Sequence, residues 1–226
     1  MKPETANTTR ITSLFAEAPL STRSFIWLRW RLTPYHRIAS LLPRRGRVLD
    51  LGSGHGLLSI ALSMDSDQRE IIGIDHDPRR VRLAEGAIAR HRSVSKPRFE
   101  VGDLEKKLAT FAPGSLAGIA MIDILHYFDP AGQRALLEGT ARALEPGGIL
   151  VVREVDSEGG VAAVWNRLYE NVATRVGFTR SARRQLQFRS SDAWAKMLKS
   201  AGFTVSSETA GSPIFSDVLF IGTRTA

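Results

Sequence analysis

Three glycines at alternate positions end the run Val48-Leu49-Asp50-Leu51-Gly52-Ser53-Gly54-His55-Gly56. The apolar residues before them read as a buried strand, and Leu57 to Met64 after them read as a helix. Glycine lets the backbone take positive φ and come close to a ligand. A helix N-terminus adds unpaired N–H groups and a partial positive charge. Such a loop can hold the polar end of a ligand against the main chain. Asp75 ends a second apolar run, where a carboxylate can accept both hydroxyls of a ribose in charge-assisted bonds. His76 follows and can pack against the edge of a base. Gly102-Asp103-Leu104 closes a third run, and Asp123, His126 and Tyr127 follow a fourth. An unperturbed imidazole titrates near neutrality, so His126 can take a proton from an acceptor at pH 7 while Tyr127 orients it.

Each of these residues has a plainer use as well. Asp75 can cap a helix, although Asp77-Pro78 suits that role better. Gly102-Asp103 can be a surface turn, and His126 can line a pocket or bond a backbone carbonyl. Their order along the chain is what favours chemistry.

These residues need elements that bring them to one edge. Residues 1–11 read as disordered. Ser13 to Ala18, Thr22 to Arg31 and a segment capped by Thr33 with Pro34 behind it read as helices. Strands are expected over Arg47–Leu51, Ile71–Asp75, Phe99–Val101, Leu116–Ile122, Ile149–Glu154, Phe203–Ser207 and Asp217–Thr223. Further helices are expected from Pro78 to Arg92, Pro130 to Leu144 with Pro146-Gly147-Gly148 as its stop, Val161 to Arg175, and Ser191 to Ala201. Such alternation predicts a parallel sheet covered on both faces. Ligands then bind outside the carboxyl ends of the strands, just after Leu51, Ile74, Val101 and Ile122.

The pattern D-x-G-x-G-x-G from Asp50 to Gly56 resembles motif I of the class I S-adenosylmethionine-dependent methyltransferases. A dinucleotide loop, G-x-G-x-x-G, needs glycine where this chain has Leu57, which argues against a nicotinamide enzyme. The resemblance spans residues 46–155, where Leu144-Glu145-Pro146-Gly147-Gly148-Ile149-Leu150 is similar to the family's turn into the fifth strand. It extends more loosely over Ala201 to Val205 and the last strand. It implies an α/β, Rossmann-like methyltransferase fold: a seven-stranded, mostly parallel sheet with the last strand antiparallel and helices on both faces. It implies that Asp50, Gly52, Ser53, Gly54 and Gly56 hold the amino-acid end of S-adenosylmethionine, and that Asp75 holds its ribose with His76 alongside. Asp103 would accept the adenine amine, the N–H of Leu104 would meet a ring nitrogen, Asp123 would belong to the same site, and His126 and Tyr127 would face the transferred methyl group. Residues 1–45 would form a helical lid or acceptor region, and 46–226 the cofactor domain with an insertion over about 157–200.

Subclasses can be separated. Methylation at cytosine C5 needs a cysteine nucleophile, and the chain has none. The N/D-P-P-Y/F motif of amino-group methylation is absent, because residues 123–127 read Asp-Ile-Leu-His-Tyr. Asp123 and Asp156 do not complete the acid and Asn set of the metal-dependent catechol type, so no metal is expected. Phe25 to Leu32 carries a Phe, two Trp and two Arg in eight residues. It reads as a lid helix, an apolar acceptor pocket or a contact with a membrane surface. Trp30 to Pro43 also resembles methyltransferases of bacterial aryl-polyene and polyketide clusters. Arg31 and Tyr35 are candidates to close over the cofactor carboxylate, and Arg153, Glu154, Tyr169 and Arg189 to face the acceptor.

The 226 residues suffice for one full core, and no apolar stretch nears the roughly 20 residues that span a bilayer. The polar start MKPETANTTR lacks the apolar centre of a secretory signal, which makes a cytoplasmic location the default, with peripheral membrane contact open. The net charge is +8, and 25 of the 31 basic residues are Arg, scattered in short clusters such as Arg44-Arg45, Arg79-Arg80 and Arg183-Arg184. That scatter disfavours nucleic acid as the partner. The reading is an O-methyltransferase acting on a small aromatic or lipophilic acceptor. The alternatives are methylation of RNA or protein, or a non-catalytic cofactor binder. Oligomeric state is not legible.

Overall fold

The computed structural model describes residues 11–91, 95–158, 186–210 and 216–225. The helix expected over Val161 to Arg175, and with it Tyr169, lies outside them.

Seven strands form one sheet: β1 (Gly46–Leu51), β2 (Arg69–Asp75), β3 (Arg98–Val101), β4 (Leu116–Ile122), β5 (Leu144–Val155), β6 (Phe203–Thr209) and β7 (Asp217–Arg224). Their order is β3-β2-β1-β4-β5-β7-β6. Strands β1 to β5 pair in parallel, and β7 runs antiparallel to both β5 and β6. The last strand is therefore reversed, as the resemblance implies. Leu51 stands opposite both Ile74 and Met121, so the carboxyl ends of β1, β2 and β4 are level. The strand order reverses at β1/β4, the position where open parallel sheets bind ligands.

The helices are α1 (Leu20–Leu32), α2 (Tyr35–Leu41), α3 (Leu57–Asp65), α4 (Pro78–Arg90), α5 (Leu104–Ala109), α6 (Pro130–Ala143) and α7 (Ser191–Ser200). Two apolar cores lie on opposite sides of the sheet. One gathers Ile26, Ile38, Leu58 and Ala84 from α1 to α4 against Val48 and Ala120. The other gathers Leu108, Leu136 and Trp194 from α5 to α7 against Leu49, Leu51 and Ile119. Residues one apart in a strand face opposite ways. Strand β1 thus feeds both cores, with Asp50 on the Val48 side.

Several local expectations differ from the structure. Residues 11–13 form a helical turn and 14–17 continue as turns, not as a helix to Ala18. Thr33 closes α1, its N–H donating to the Arg29 carbonyl at 3.0 Å, instead of capping α2, which starts behind Pro34 without a side-chain cap. Pro146-Gly147-Gly148 lies inside β5: Gly147 takes φ 78° and the register against β4 shifts between Leu116 and Gly118, so the turn is a bulge. Helix α5, unassigned from the sequence, starts where the Asp103 carboxylate accepts the Lys106 N–H. Asp77 caps α4 as expected.

Part of the Arg excess is structural. Arg69 is buried and donates to the carbonyls of Ala39, Leu42, Pro43 and Leu62, fastening α2 and α3 to the start of β2. Arg142 donates to the carbonyls of Leu108 and Phe111.

Candidate active site

The glycine loop sits at the carboxyl edge of β1, fixed by its own main chain. The N–H groups of Gly52 and Ser53 both donate to the Ile74 carbonyl, at 2.8 and 2.9 Å. The three glycines serve different ends. A Cβ on Gly52, at φ 82°, would lie 2.5 Å from Ile124 Cγ2, and one on Gly56, at φ 75°, 2.7 Å from Phe99. Those two are small because the protein packs against them. A Cβ on Gly54 would meet nothing within 4 Å, so the loop at Gly54 faces open space, where a ligand can approach the main chain. Helix α3 starts at Leu57 behind Gly56 with no side-chain cap at Gly56.

Around this loop the predicted cofactor residues divide. Asp75 is 4% exposed; its Oδ2 accepts the Gly54 N–H and its Oδ1 the Asp77 N–H, both at 2.9 Å. Each oxygen keeps a lone pair for a hydroxyl donor. His76 is half exposed, its Nδ1 3.5 Å from Asp75 Oδ1. Asp103 is exposed and caps α5, and Leu104 is buried in the core. Beside them Val101, 45% exposed at the end of β3, puts an apolar face at the same edge. In sequence Val101 marks only a strand end, since its exposure alone sets it apart from a core valine. Asp50 turns away from the open edge: its Oδ2 accepts the Ser59 hydroxyl at 2.7 Å, tying β1 to α3, and burial pushes its carboxyl up to about 7. His55, within the loop, is pushed down to about 3 by burial, with Arg80 adding to the effect, so its imidazole is neutral. Its ring lies 5.9 Å from that of Phe25 on α1.

Beyond β4 the site is built from side chains. Asp123 has φ 56°, a left-handed conformation that Asp tolerates better than most residues. Its N–H donates to the Arg153 carbonyl, and its Oδ2 accepts Arg29 Nη2 and Arg153 Nη1, both at 2.5 Å. Burial alone would raise this carboxyl, but Arg153 and Arg29 outweigh it and hold it below the usual range. Asp123 Oδ1 is buried without a hydrogen-bond partner among the described residues. The other arm of Arg153 pairs with Asp217, whose carboxyl burial pushes up to about 6. Arg29, rather than Arg31, is thus the guanidinium that reaches the site. Arg31 lies over the Trp27 ring at 5.5 Å. Tyr35 is buried, stacked on Trp30 at 5.2 Å, with its hydroxyl against Arg29 beside Asp123. Nothing in the spacing of the Phe25 to Leu32 run distinguishes its two Arg; only the tertiary partner Asp123 does.

His126 sits in a 3₁₀ turn, Leu125–Tyr127, and is fully buried. Its Nδ1 lies 2.7 Å from Glu154 Oε2, and Glu154 Oε1 accepts the Leu125 N–H at 2.7 Å. Glu154, on β5, is also fully buried. Tyr127 lies 4.2 Å from the imidazole, ring to ring, and Phe188 stacks on it at 5.0 Å. Residues 187–189 are strapped across this turn: Gln187 N–H donates to the His126 carbonyl, and Arg189 Nε donates to Gln133 Oε1 at 2.8 Å. Glu154 therefore acts on His126, and Arg153 and Arg189 act on Asp123 and Gln133. No group of three or more metal-binding side chains lies together among the described residues.

The sequence matches a family model described as a methyltransferase domain over residues 28–208. No curated protein matches it. Among solved structures it is similar to a SAM-dependent methyltransferase from Methanosarcina mazei, at 19% identity and a TM-score of 0.63, over 84% of this chain and 97% of that one. It is similar to an O-methyltransferase family protein from Burkholderia thailandensis, at 21% and 0.68, over 85% of this chain and 56% of that one. It is also similar to the pyocyanin biosynthetic protein PhzM, at 18% and 0.68, over 95% of this chain and 62% of that one. The chain thus spans less than two thirds of the last two structures, and at these identities the likeness is one of fold.

Proposed function

The chain belongs to this methyltransferase-domain family, an S-adenosylmethionine-dependent one, and on that premise we propose that it methylates a hydroxyl oxygen of a small aromatic or lipophilic acceptor, with His126 as the base. The observation that carries this reading is the buried His126–Glu154 pair beside the cofactor edge. A hydroxyl must lose its proton as it becomes an ether; a neutral amine needs no base to attack. An imidazole oriented by a carboxylate is built for that proton.

The residues would divide the work as follows. The main chain at Gly52 to Gly56 and the start of α3 take the amino-acid end of the cofactor. Asp75 takes the ribose hydroxyls, and Val101, His76, Asp103 and the Leu104 N–H surround the adenine. Arg29 offers its guanidinium to the cofactor carboxylate, and Asp123 Oδ1 accepts its ammonium. Asp50 holds the loop through Ser59. Of the N-terminal region, helix α1 serves as a lid, through Phe25 and Arg29.

The cofactor supplies a methyl group activated by a sulfonium. The protein aligns the acceptor and excludes water. Glu154 accepts the Nδ1–H of His126, so the lone pair lies on Nε2, which takes the acceptor proton. The carboxylate then stabilises the imidazolium until solvent removes the proton. The rings of Tyr127 and Phe188 favour a flat, apolar acceptor.

Incubating the protein with methyl-labelled S-adenosylmethionine and lysate of its source tests this directly. Label that partitions into organic solvent is the expected result. Label in macromolecules, removed by nuclease or protease, indicates RNA or protein methylation instead. Cofactor binding without transfer to any fraction indicates a non-catalytic binder.

A further inference from the structure

Helix α1 has two faces, and only one belongs to the site. At about 100° per residue, Thr22, Phe25, Ile26 and Arg29 fall on one side, and Leu20, Ser24, Trp27 and Arg31 on the opposite side. Burial agrees: Ile26 is fully buried, Phe25 meets His55 and Arg29 meets Asp123, whereas Leu20 is 76% and Trp27 47% exposed. Leu20 and Trp27 are two of the three large apolar residues exposed in the described structure. Leu20, Arg23, Ser24, Trp27 and Leu28 line a groove of about 480 Å³ on this outer face.

Charge says what fits there. From Ala18 to Leu49 the chain has no acidic residue, but carries Arg23, Arg29, Arg31, Arg37, Arg44, Arg45 and Arg47. Arg29, Arg37, Arg44 and Arg47 are neutralised by Asp123, Glu208, Asp65 and Glu70. Arg23 and Arg31, which flank the exposed apolar residues, make no ion pair among the described residues, and Arg31 rests on the Trp27 ring. Trp and Leu between unneutralised Arg, on a chain of net charge +8, suit the boundary between acyl chains and anionic headgroups.

We propose that the outer face of α1 docks on an anionic lipid surface, through Leu20 and Trp27 in the acyl boundary and Arg23 and Arg31 on the headgroups. A soluble protein partner would need acidic groups to match this stripe, and a second copy would bring the same Arg residues against it. Docking would also set α1, whose inner face carries Arg29, between the bilayer and the catalytic site. This holds whatever the acceptor is.

The test is cosedimentation with vesicles of phosphatidylcholine alone and of phosphatidylcholine with phosphatidylglycerol. The wild-type protein is expected to bind the anionic vesicles and to be released by salt. Leu20→Ser with Trp27→Ser should lower the partition about tenfold or more per residue. Arg23→Gln with Arg31→Gln should lower it by about fivefold per residue and flatten the salt dependence. All variants should keep wild-type affinity for S-adenosylhomocysteine, which shows that they fold. Absence of wild-type binding, or retention of full binding by both double variants, overturns the assignment. So does a concentration-dependent self-association that Leu20→Ser with Trp27→Ser abolishes, because the stripe is then an interface between copies.

Discussion

Around the ends of β1, β2 and β3 the groups at the open edge are main chain together with Asp75, His76, Val101 and Asp103, and all lie within a few residues of a strand end. Around the ends of β4 and β5 they are side chains brought together over long distances in sequence. Arg29 and Asp123 are 94 residues apart, His126 and Glu154 28, and Arg153 and Asp217 64. The first half is a local motif, in which Gly52 and Gly56 must be glycine because Ile124, Phe99 and Ala84 occupy the space of a Cβ. The second is a network in which each member holds another: Glu154 holds His126, Arg153 holds Asp123 and Gln133 holds Arg189. A binding surface shared by every substrate can be main chain. On the proposed function, the surface that sets which acceptor reacts is the set of exchangeable side chains around His126 and Glu154, whereas Arg29 and Asp123 of the same network belong with the cofactor.

If that division is real, the two halves must fail differently. The largest effect should come from His126→Ala: transfer falls by about 10²–10⁴-fold while cofactor affinity changes little, read from label transfer and calorimetry in parallel. Equal losses in both would merge the halves. Asp75→Ala should do the reverse. Losing a charge-assisted bond of about 1.5–3 kcal/mol should weaken cofactor binding by roughly 10–100-fold, seen by titration, with the rate at saturating cofactor little altered. Arg29 sits at the seam, on α1 but aimed at the cofactor edge. Arg29→Ala should reduce the preference for S-adenosylhomocysteine over its decarboxylated analogue by about tenfold in competition binding. A merely structural role would weaken both ligands alike and leave that preference intact.

The smallest effect concerns stability rather than function. The Asp50 carboxyl is pushed up to about 7 in the folded protein, above its ordinary unfolded value, so folding favours its protonated form. Its contribution is most favourable below the unfolded value and is lost as pH rises through about 7. Asp50→Asn, which can still accept the Ser59 hydroxyl, should therefore stabilise the protein by about 1–3 kcal/mol at pH 8, and by progressively less toward pH 4. Chemical denaturation across that range measures it. A gain independent of pH would mean that the carboxyl does not titrate there.

The local half was legible because its signals are contiguous. Three alternate glycines between an apolar run and a helix, then Asp75 and Asp103 after later strands, mark the sheet edge without any knowledge of packing. The seven strands followed from the same periodicity, and errors fell where two elements meet without a gap. Thr33 looked like an N-cap because Pro34 follows it, but the preceding helix used it as a C-cap. Pro146-Gly147-Gly148 looked like a stop and became a bulge, since β5 already pairs with β4 at Leu144. The network half was only partly legible. His126 stood out by type and place, yet its partner Glu154 read as one of several acceptor candidates. Arg29 was indistinguishable from Arg31 until the fold set one over Asp123 and the other over Trp27.

Titrating S-adenosylhomocysteine into the wild-type protein, Asp75→Ala and His126→Ala by calorimetry tests the central claim without knowing the acceptor. The wild type and His126→Ala should bind with nearly equal affinity, and Asp75→Ala roughly 10–100-fold more weakly. A wild-type protein that does not bind, or a loss at His126 as large as that at Asp75, would contradict the division of the site into a cofactor half and an acceptor half.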